Sequence, residues 1–201
     1  MRSIKMHWLA GCTMVLVLAR SAGAVSQFSF VCGQVDYQIA PGETADVPLF
    51  LRDDSGSVIN VENGLFAAGL KVSRNSAGAA LPSIISISSA SGFDGTVQTS
   101  VSSALASLYE DHASAFGPGA MTDGNHLILL GIVRIYSGSF IGQTSFQIAD
   151  DSSMTTNTIT YAGTALDDSA GINSESFTIT VTPEPCCLCF AGVLILAPRR
   201  R

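Results

Sequence analysis

Thr44-Ala45-Asp46-Val47-Pro48-Leu49-Phe50-Leu51 decides how this chain is read. In an extended strand Val47, Leu49 and Leu51 share one face, because side chains alternate with period two. A helix would turn Leu49 away from the other two. Pro48 inside the run points to an edge position or a bulge, since proline donates no ladder hydrogen bond. Residues 143–149 repeat the pattern, with Thr144, Phe146 and Ile148 on one face. Residues 126–136 (HLILLGIVRIY) form the longest apolar run and read as a central core strand interrupted at Gly131.

Further strand-like runs lie at 28–31, 35–39, 65–73, 84–88, 157–162 and 176–181, with a weaker one at 96–101. Clusters of Gly, Asp, Ser and Asn separate them. Residues 101–109 (VSSALASLY) read as one short helix. Serine, threonine and valine supply β propensity elsewhere. The result is an all-β chain of about nine strands, which suits a two-sheet antiparallel β-sandwich of jelly-roll or cohesin-like type.

Composition agrees with one domain of this kind. The chain has 201 residues, a formal charge of −6, 13% charged and 47% hydrophobic residues. Apolar content this high excludes a disordered chain. The acidic balance excludes a nucleic-acid binder, which needs a basic stripe.

Both ends read as addresses. Residues 1–24 have a positive start at Arg2 and Lys5, an apolar run at 12–19, and the small-x-small pattern Ala22-Gly23-Ala24. That is a signal peptide with cleavage after Ala24. Its apolar run is short of the ~20 residues of a membrane span, and Arg20 interrupts it. Leu9-Ala10-Gly11-Cys12 matches a lipobox, but most of the apolar run follows Cys12 instead of preceding it. At the other end, Pro183-Glu184-Pro185 leads into CCLCFAGVLILAP (186–198) and then Arg199-Arg200-Arg201. The prolines block continuation of a helix into the domain, and the arginines stay cytoplasmic by the positive-inside rule. As a helix the apolar part is only ~20 Å long, against a hydrocarbon core of ~30 Å.

This tail resembles the PEP-CTERM sorting signal of bacterial exported proteins, read by a membrane protease-transpeptidase called exosortase. The resemblance implies transient inner-membrane anchoring through an apolar sorting helix, processing near Pro183, Glu184 and Pro185, and release or attachment at the cell surface. Signal peptidase and exosortase are then the partners during export. The segment is shorter than that family shows, and Cys186, Cys187 and Cys189 crowd it. The organisation expected is signal peptide 1–24, sandwich domain 25–182 and sorting tail 183–201.

Trimming changes the chemistry of what remains. All sixteen acidic residues lie between Asp36 and Glu184, opposed there only by Arg52, Lys71, Arg74 and Arg134, a net of −12. Of the five cysteines only Cys32 stays, so no internal disulfide is available. Cys32 is a buried small hydrophobe, a free thiol or an intermolecular bridge.

The middle of the chain resembles the cohesin-like and carbohydrate-binding-module-like sandwiches. The residues that carry this are Ala40-Pro41-Gly42-Glu43-Thr44 before Val47-Pro48-Leu49-Phe50-Leu51, then the phrase from Asn63 to Val72, then Leu129-Leu130-Gly131-Ile132-Val133, and the closing Ser176-Phe177-Thr178-Ile179-Thr180-Val181. Dockerin binding does not carry over, because no residues here map onto that interface.

Chemistry is sparse. There is no G-x-S-x-G elbow and no phosphate-binding loop. His126 follows the turn signal Asp123-Gly124-Asn125 and reads as structural. Glu110-Asp111-His112 places carboxylates beside an imidazole, short of the three convergent ligands a metal needs. Three acidic phrases, Asp53-Asp54, Asp150-Asp151 and Asp167-Asp168, fall between strands. They are candidates for one structural calcium, which takes six to eight oxygens. None matches an EF-hand, and turn chemistry explains Asp in loops equally well. No other cofactor is expected. The mature chain has no Trp, and Tyr37, Tyr109, Tyr136 and Tyr161 are its only tyrosines. The expected function is a non-enzymatic, exported surface or extracellular-matrix protein in a structural or adhesive role. Its partners would be envelope proteins or extracellular polysaccharide. The alternatives are a carbohydrate-binding module, and a hydrolase whose site would gather His112 or His126 with carboxylates in a deep pocket.

Overall fold

The run that opens the sequence reading becomes β3 (Thr44–Asp53), and it lies antiparallel to β8 (Leu127–Tyr136). Val47, Leu49 and Leu51 are all 0% exposed, as the period-two pattern requires. The computed structural model describes residues 27–78, 80–90, 92–113, 123–151, 153, 157–167 and 171–183. Ala22 and Ala24 of the signal, and everything from Glu184 to the Arg199-Arg200-Arg201 end, lie outside the described residues.

The remaining strands are β1 (Phe28–Cys32), β2 (Asp36–Ile39), β4 (Leu65–Arg74), β5 (Ser83–Ser89), β6 (Val97–Val101), β7 (Leu105–Asp111), β9 (Gly142–Asp150), β10 (Ile159–Thr160) and β11 (Glu175–Val181). They make two sheets. One has the order β1-β3-β8-β5; the other runs β2-β11-β9-β4-β7-β6, with β10 beside β4. Every named pairing is antiparallel except β2 with β11, which is parallel.

The two sheets close on a core that includes Phe30, Leu49, Leu51, Leu70, Leu108, Leu130, Phe146, Ile148, Phe177 and Ile179. Phe146 and Phe177 are cross-strand partners on β9 and β11, stacked with ring centroids 5.3 Å apart. Burying one such ring contributes about 1.5–3 kcal/mol. Among the described residues no helix is long and apolar enough to cross a membrane.

Two local expectations change. Residues 101–109 are not a helix. They form the end of β6, a tight turn and most of β7. The turn is closed by Ser102, whose backbone N–H donates to Leu105 O at 2.7 Å and whose hydroxyl oxygen accepts from the Leu105 N–H at 3.1 Å. Ala106, Leu108 and Glu110 then alternate inward against the facing sheet. Helix-favouring Ala and Leu yield to that burial, because propensity is a weak prior. Pro48 is not in an edge strand, since β3 lies between β1 and β8. Yet β1 pairing ends at Cys32↔Leu49, one residue short of Pro48, and the register shifts at Leu49/Phe50. The missing donor therefore costs no ladder bond.

Candidate functional site

The outer face of the β1-β3-β8-β5 sheet owes its character to that irregularity. Leu49 pairs with Gly131 and Phe50 with Leu129, which leaves Leu130 as an extra residue. A bulge of this kind re-aims side chains. Ile128, Leu130, Val133 and Ile135 turn into the core, while Leu129, Ile132, Arg134 and Tyr136 face solvent. Glycine is required at the bulge: a Cβ on Gly131 would stand 2.4 Å from Ser88 O and 2.8 Å from Leu108. A second register shift, between Ile84 and Ser86, pushes Ile85 outward.

The face is therefore apolar at intervals. Leu129, Ile132 and Tyr136 are 39–40% exposed and Ile85 is 47% exposed. Ile132 stands opposite Pro48 on β3 and Ser88 on β5, and Leu129 opposite half-buried Phe50. Between the apolar residues Arg134 donates twice to Asp46, at 2.6 and 2.7 Å. That bidentate bond holds the Asp46 carboxyl below its usual range and raises the Arg134 guanidinium. Asp46, Ser86, Ser88, Ile132 and Arg134 line a shallow cleft of about 230 Å³.

The acidic phrases go different ways. Asp53 is 2% exposed, and its carboxylate accepts from Ser55 N–H and hydroxyl, Gly56 N–H, Val58 N–H and Ile59 N–H, at 2.6–3.0 Å. Those bonds outweigh its burial and hold its pKa low. Donors occupy the positions a cation would take. Asp54 accepts from the Ser29 hydroxyl and the Arg52 guanidinium, both at 2.5 Å.

Asp150 and Asp167 are brought together where β9 gives way to β10. Asp150 is raised by burial first, then by the charges of Asp167 and Asp151, with Lys71 opposing. Asp167 accepts from Asn157 N–H at 2.8 Å and Thr158 N–H at 3.2 Å. Each aspartate keeps one buried oxygen, Oδ1, without a hydrogen-bond partner. The Asp151 carboxylate accepts from the Ser153 N–H and hydroxyl. Asp168 lies outside the described residues. Among the described residues no group of three His, Cys, Asp or Glu side chains is placed to hold a metal ion.

The Glu110-Asp111-His112 phrase is split by the strand. Asp111 accepts from Thr96 N–H at 2.6 Å and the Tyr109 hydroxyl at 3.2 Å. Glu110 points the other way and is 0% exposed, with neither carboxyl oxygen hydrogen-bonded. Burial pushes its pKa up to about 7. His112 shares the Glu110 face; its Nδ1 lies 3.2 Å from Asp94 Oδ1 and its ring 5.1 Å from the Phe93 ring. His126 adopts a positive φ of 61° in the Asp123 turn, a structural placement. The two histidines thus have different neighbours, Asp94 and Phe93 beside His112, and Gly56 and Asp123 beside His126.

Cys32 packs half-buried against the core. Its thiol donates to Gln34 O at 2.9 Å and lies 3.8 Å from a Glu175 oxygen. Burial, then the Glu175 charge, pushes the thiol up to about 11. The exposed apolar face went unread in the sequence. Its signal was Gly131 in the middle of HLILLGIVRIY, which shifts the inward set by one residue.

No protein family and no curated protein matches the chain by sequence. By structure the described sandwich is similar to the sixth cohesin of scaffoldin B from Acetivibrio cellulolyticus, solved in complex with a Cel5 dockerin mutant. That match has 16% identity and a TM-score of 0.55 over 77% of this chain and 99% of that one. A type III cohesin module from the ScaE cell-surface anchoring scaffoldin of Ruminococcus flavefaciens matches at 11% identity and TM-score 0.50, over 82% and 92%. A cohesin module from a Clostridium perfringens family 33 glycoside hydrolase matches at 13% and 0.50, over 80% and 98%. At such identities the likeness is one of fold: the described residues form a cohesin-like β-sandwich.

Proposed function

We propose that this chain is an exported, non-catalytic docking module that binds a partner protein on the outer face of the β1-β3-β8-β5 sheet, at the cell surface or in the extracellular matrix. The observation that carries the reading is the row of outward apolar side chains, Leu129, Ile132, Tyr136 and Ile85, around the Arg134–Asp46 pair. Apolar knobs around a fixed polar pair suit protein recognition, where a few central apolar anchors carry most of the energy. The cohesin-like fold supports it, since one structural neighbour is itself held in a complex with a dockerin. The proposal includes the export route read from the two ends: cleavage after Ala24, then exosortase processing near Pro183, Glu184 and Pro185, with Arg199, Arg200 and Arg201 as the positive stop that holds the tail until it is cut away. The order of these elements in the sequence supports it.

The test is cross-linking in the native host, comparing the natural chain with Ile132→Asp and, as a control on another surface, Val97→Asp. A specific partner captured by the natural chain and by Val97→Asp, and lost by at least tenfold in Ile132→Asp at unchanged melting temperature, is expected. Equal capture by all three overturns the assignment of the face. The intact mass of the surface-recovered protein tests the route. A species running from Val25 to the Pro183–Pro185 region is expected, and one retaining Cys186 to Arg201 overturns exosortase processing. For the polysaccharide alternative the candidate surface is a polar cleft of about 210 Å³ whose lining includes Gln98, Thr99, Ser107 and Tyr109. Glycan binding abolished by Tyr109→Ala and untouched by Ile132→Asp would favour it.

A further inference from the structure

Glu110 lies behind the docking face, not on it. It belongs to β7 in the other sheet and turns inward with Ala106 and Leu108. Leu108 packs against the back of Gly131, the bulge residue of β8. The Ser89 hydroxyl and the Ala90 backbone lie beside the Glu110 carboxyl and oppose the effect of burial on its pKa, but neither carboxyl oxygen has a hydrogen-bond partner of good geometry. Ser89 pairs with Gly131, and the Ala90 N–H donates to Leu130 O at 2.8 Å. The carboxyl therefore sits directly behind the end of the β5–β8 ladder whose front is Ser88, Ile132 and Leu129.

Among the described residues no countercharge reaches it. β5 and β6 carry no titratable side chain. On β4, Lys71 and Arg74 lie three and six residues beyond Ala68, the Glu110 partner, and Lys71 projects from the opposite face. On β8, Arg134 and Tyr136 face solvent. On β7 itself, Tyr109 and Asp111 point away. That leaves His112 and Asp94, which hold each other at 3.2 Å at the rim. His112 Nε2 is buried without a partner. Phe93, 6% exposed, lies on the His112 ring, and Asp94 further accepts from the Ala113 N–H at 3.1 Å. The segment 92–96 thus closes over the end of β7.

We propose, resting on the docking reading, that Glu110 is a proton-operated control on the docking sheet: protonated, it leaves the β5–β8 end closed; ionised, it opens that end by drawing water in beneath Ser89 and Ala90. An ionised carboxylate without partners cannot stay in an apolar core, so it must gain water or force its surroundings apart. The sign follows from the folded value of about 7 against the ordinary 4.5. Between these values the closed form holds a proton that the open form lacks, so closure weakens as pH rises through this range and levels off above it. The limiting factor in the open-to-closed ratio is roughly 300-fold.

The test needs no partner, so its failure is separate from failure of the docking reading. Hydrogen exchange is followed on the full chain and on Glu110→Gln, with Glu110→Met as a second variant if the amide packs poorly. Peptides covering 86–96 and 127–133 are compared with one covering 175–181 at pH 5.5 and pH 8.5, each variant against the natural chain at the same pH. The expected result is exchange faster in the natural chain by about tenfold at pH 5.5 and by roughly 300-fold at pH 8.5, confined to the first two peptides. Equal exchange at both pH values overturns the proposal. So does a difference spread evenly over all three peptides, which would mark a global loss of stability with no local opening.

Discussion

Replacing Asp53 with Ala removes one carboxylate and strands several donors. The Ile59 N–H, on a residue 4% exposed, and the Val58 N–H both donate to Oδ2, at 3.0 and 2.9 Å. The Ser55 and Gly56 donors on Oδ1 are nearer solvent and can turn to water. A buried donor left unmade costs about 1–3 kcal/mol. Two such donors give a loss of about 3 kcal/mol, which in a domain of this size is about 6–12 °C in melting temperature. Asp53→Asn should lose less, because its amide oxygen can still accept from the Val58 and Ile59 N–H while its NH2 group takes the more exposed Ser55 side. The Asp53 pKa is held below its ordinary 3.8, so its contribution is present above that value and lost as pH falls through the folded one. The natural chain and Asp53→Ala should therefore converge in strong acid. The assay is thermal unfolding of both chains, with and without EDTA, at pH 7 and at pH 3. A shift below 2 °C at pH 7 refutes the reasoning. So would an EDTA-induced drop in the natural chain that Asp53→Ala lacks, since that is the signature of a cation on Asp53.

Two further outcomes follow from the geometry. Gly131→Ala places a methyl group against Ser88 O and Leu108, and overpacking of this kind costs about 1–3 kcal/mol; an unchanged denaturant midpoint would contradict the bulge geometry. Cys32, with its thiol raised from 9.0 to about 11, holds roughly a hundredth of the ordinary thiolate at pH 8. Its alkylation, followed by peptide mass, should be about 100-fold slower than that of an exposed thiol, and a rate matching glutathione would show the burial of Cys32 beside Glu175 to be wrong.

Much of the fold was legible because strand patterning is local. TADVPLFL and QTSFQIA each show their buried set without any knowledge of the partner strand, and both sets are buried. Residues 101–109 suit a helix by composition, since Ala104, Leu105, Ala106 and Leu108 are good helix formers, and only the Ser102 turn and the facing sheet decide for strand. Pairing order was not legible, nor was the parallel β2–β11 contact, since the two strands are far apart in sequence. The exposed apolar face was not legible for a related reason. Alternation predicts that Ile132 follows a buried Gly131, but the extra residue that puts Leu129 and Ile132 on one side is fixed by register with β3. Asp53, Asp150 and Asp167 were visible as acids in loops; which would be consumed by amides and which left with an idle oxygen depends on tertiary placement.

The parallel pairing of β2 with β11 has a mechanical consequence. The last strand is clamped on both flanks, by β9 from Glu175 to Val181 and by β2 from Thr178 to Val181, and Thr182 N–H still donates to Ile39 O. A pull on the chain beyond Pro183 runs along the axis of β11, across one ladder whose bonds lie perpendicular to it and one whose bonds are slanted. Tension is then shared by all of those bonds at once, in shear, where a hairpin pulled from its open end would give way one bond at a time. A module tethered by its C-terminal end and loaded through the opposite sheet would hold like a lap joint.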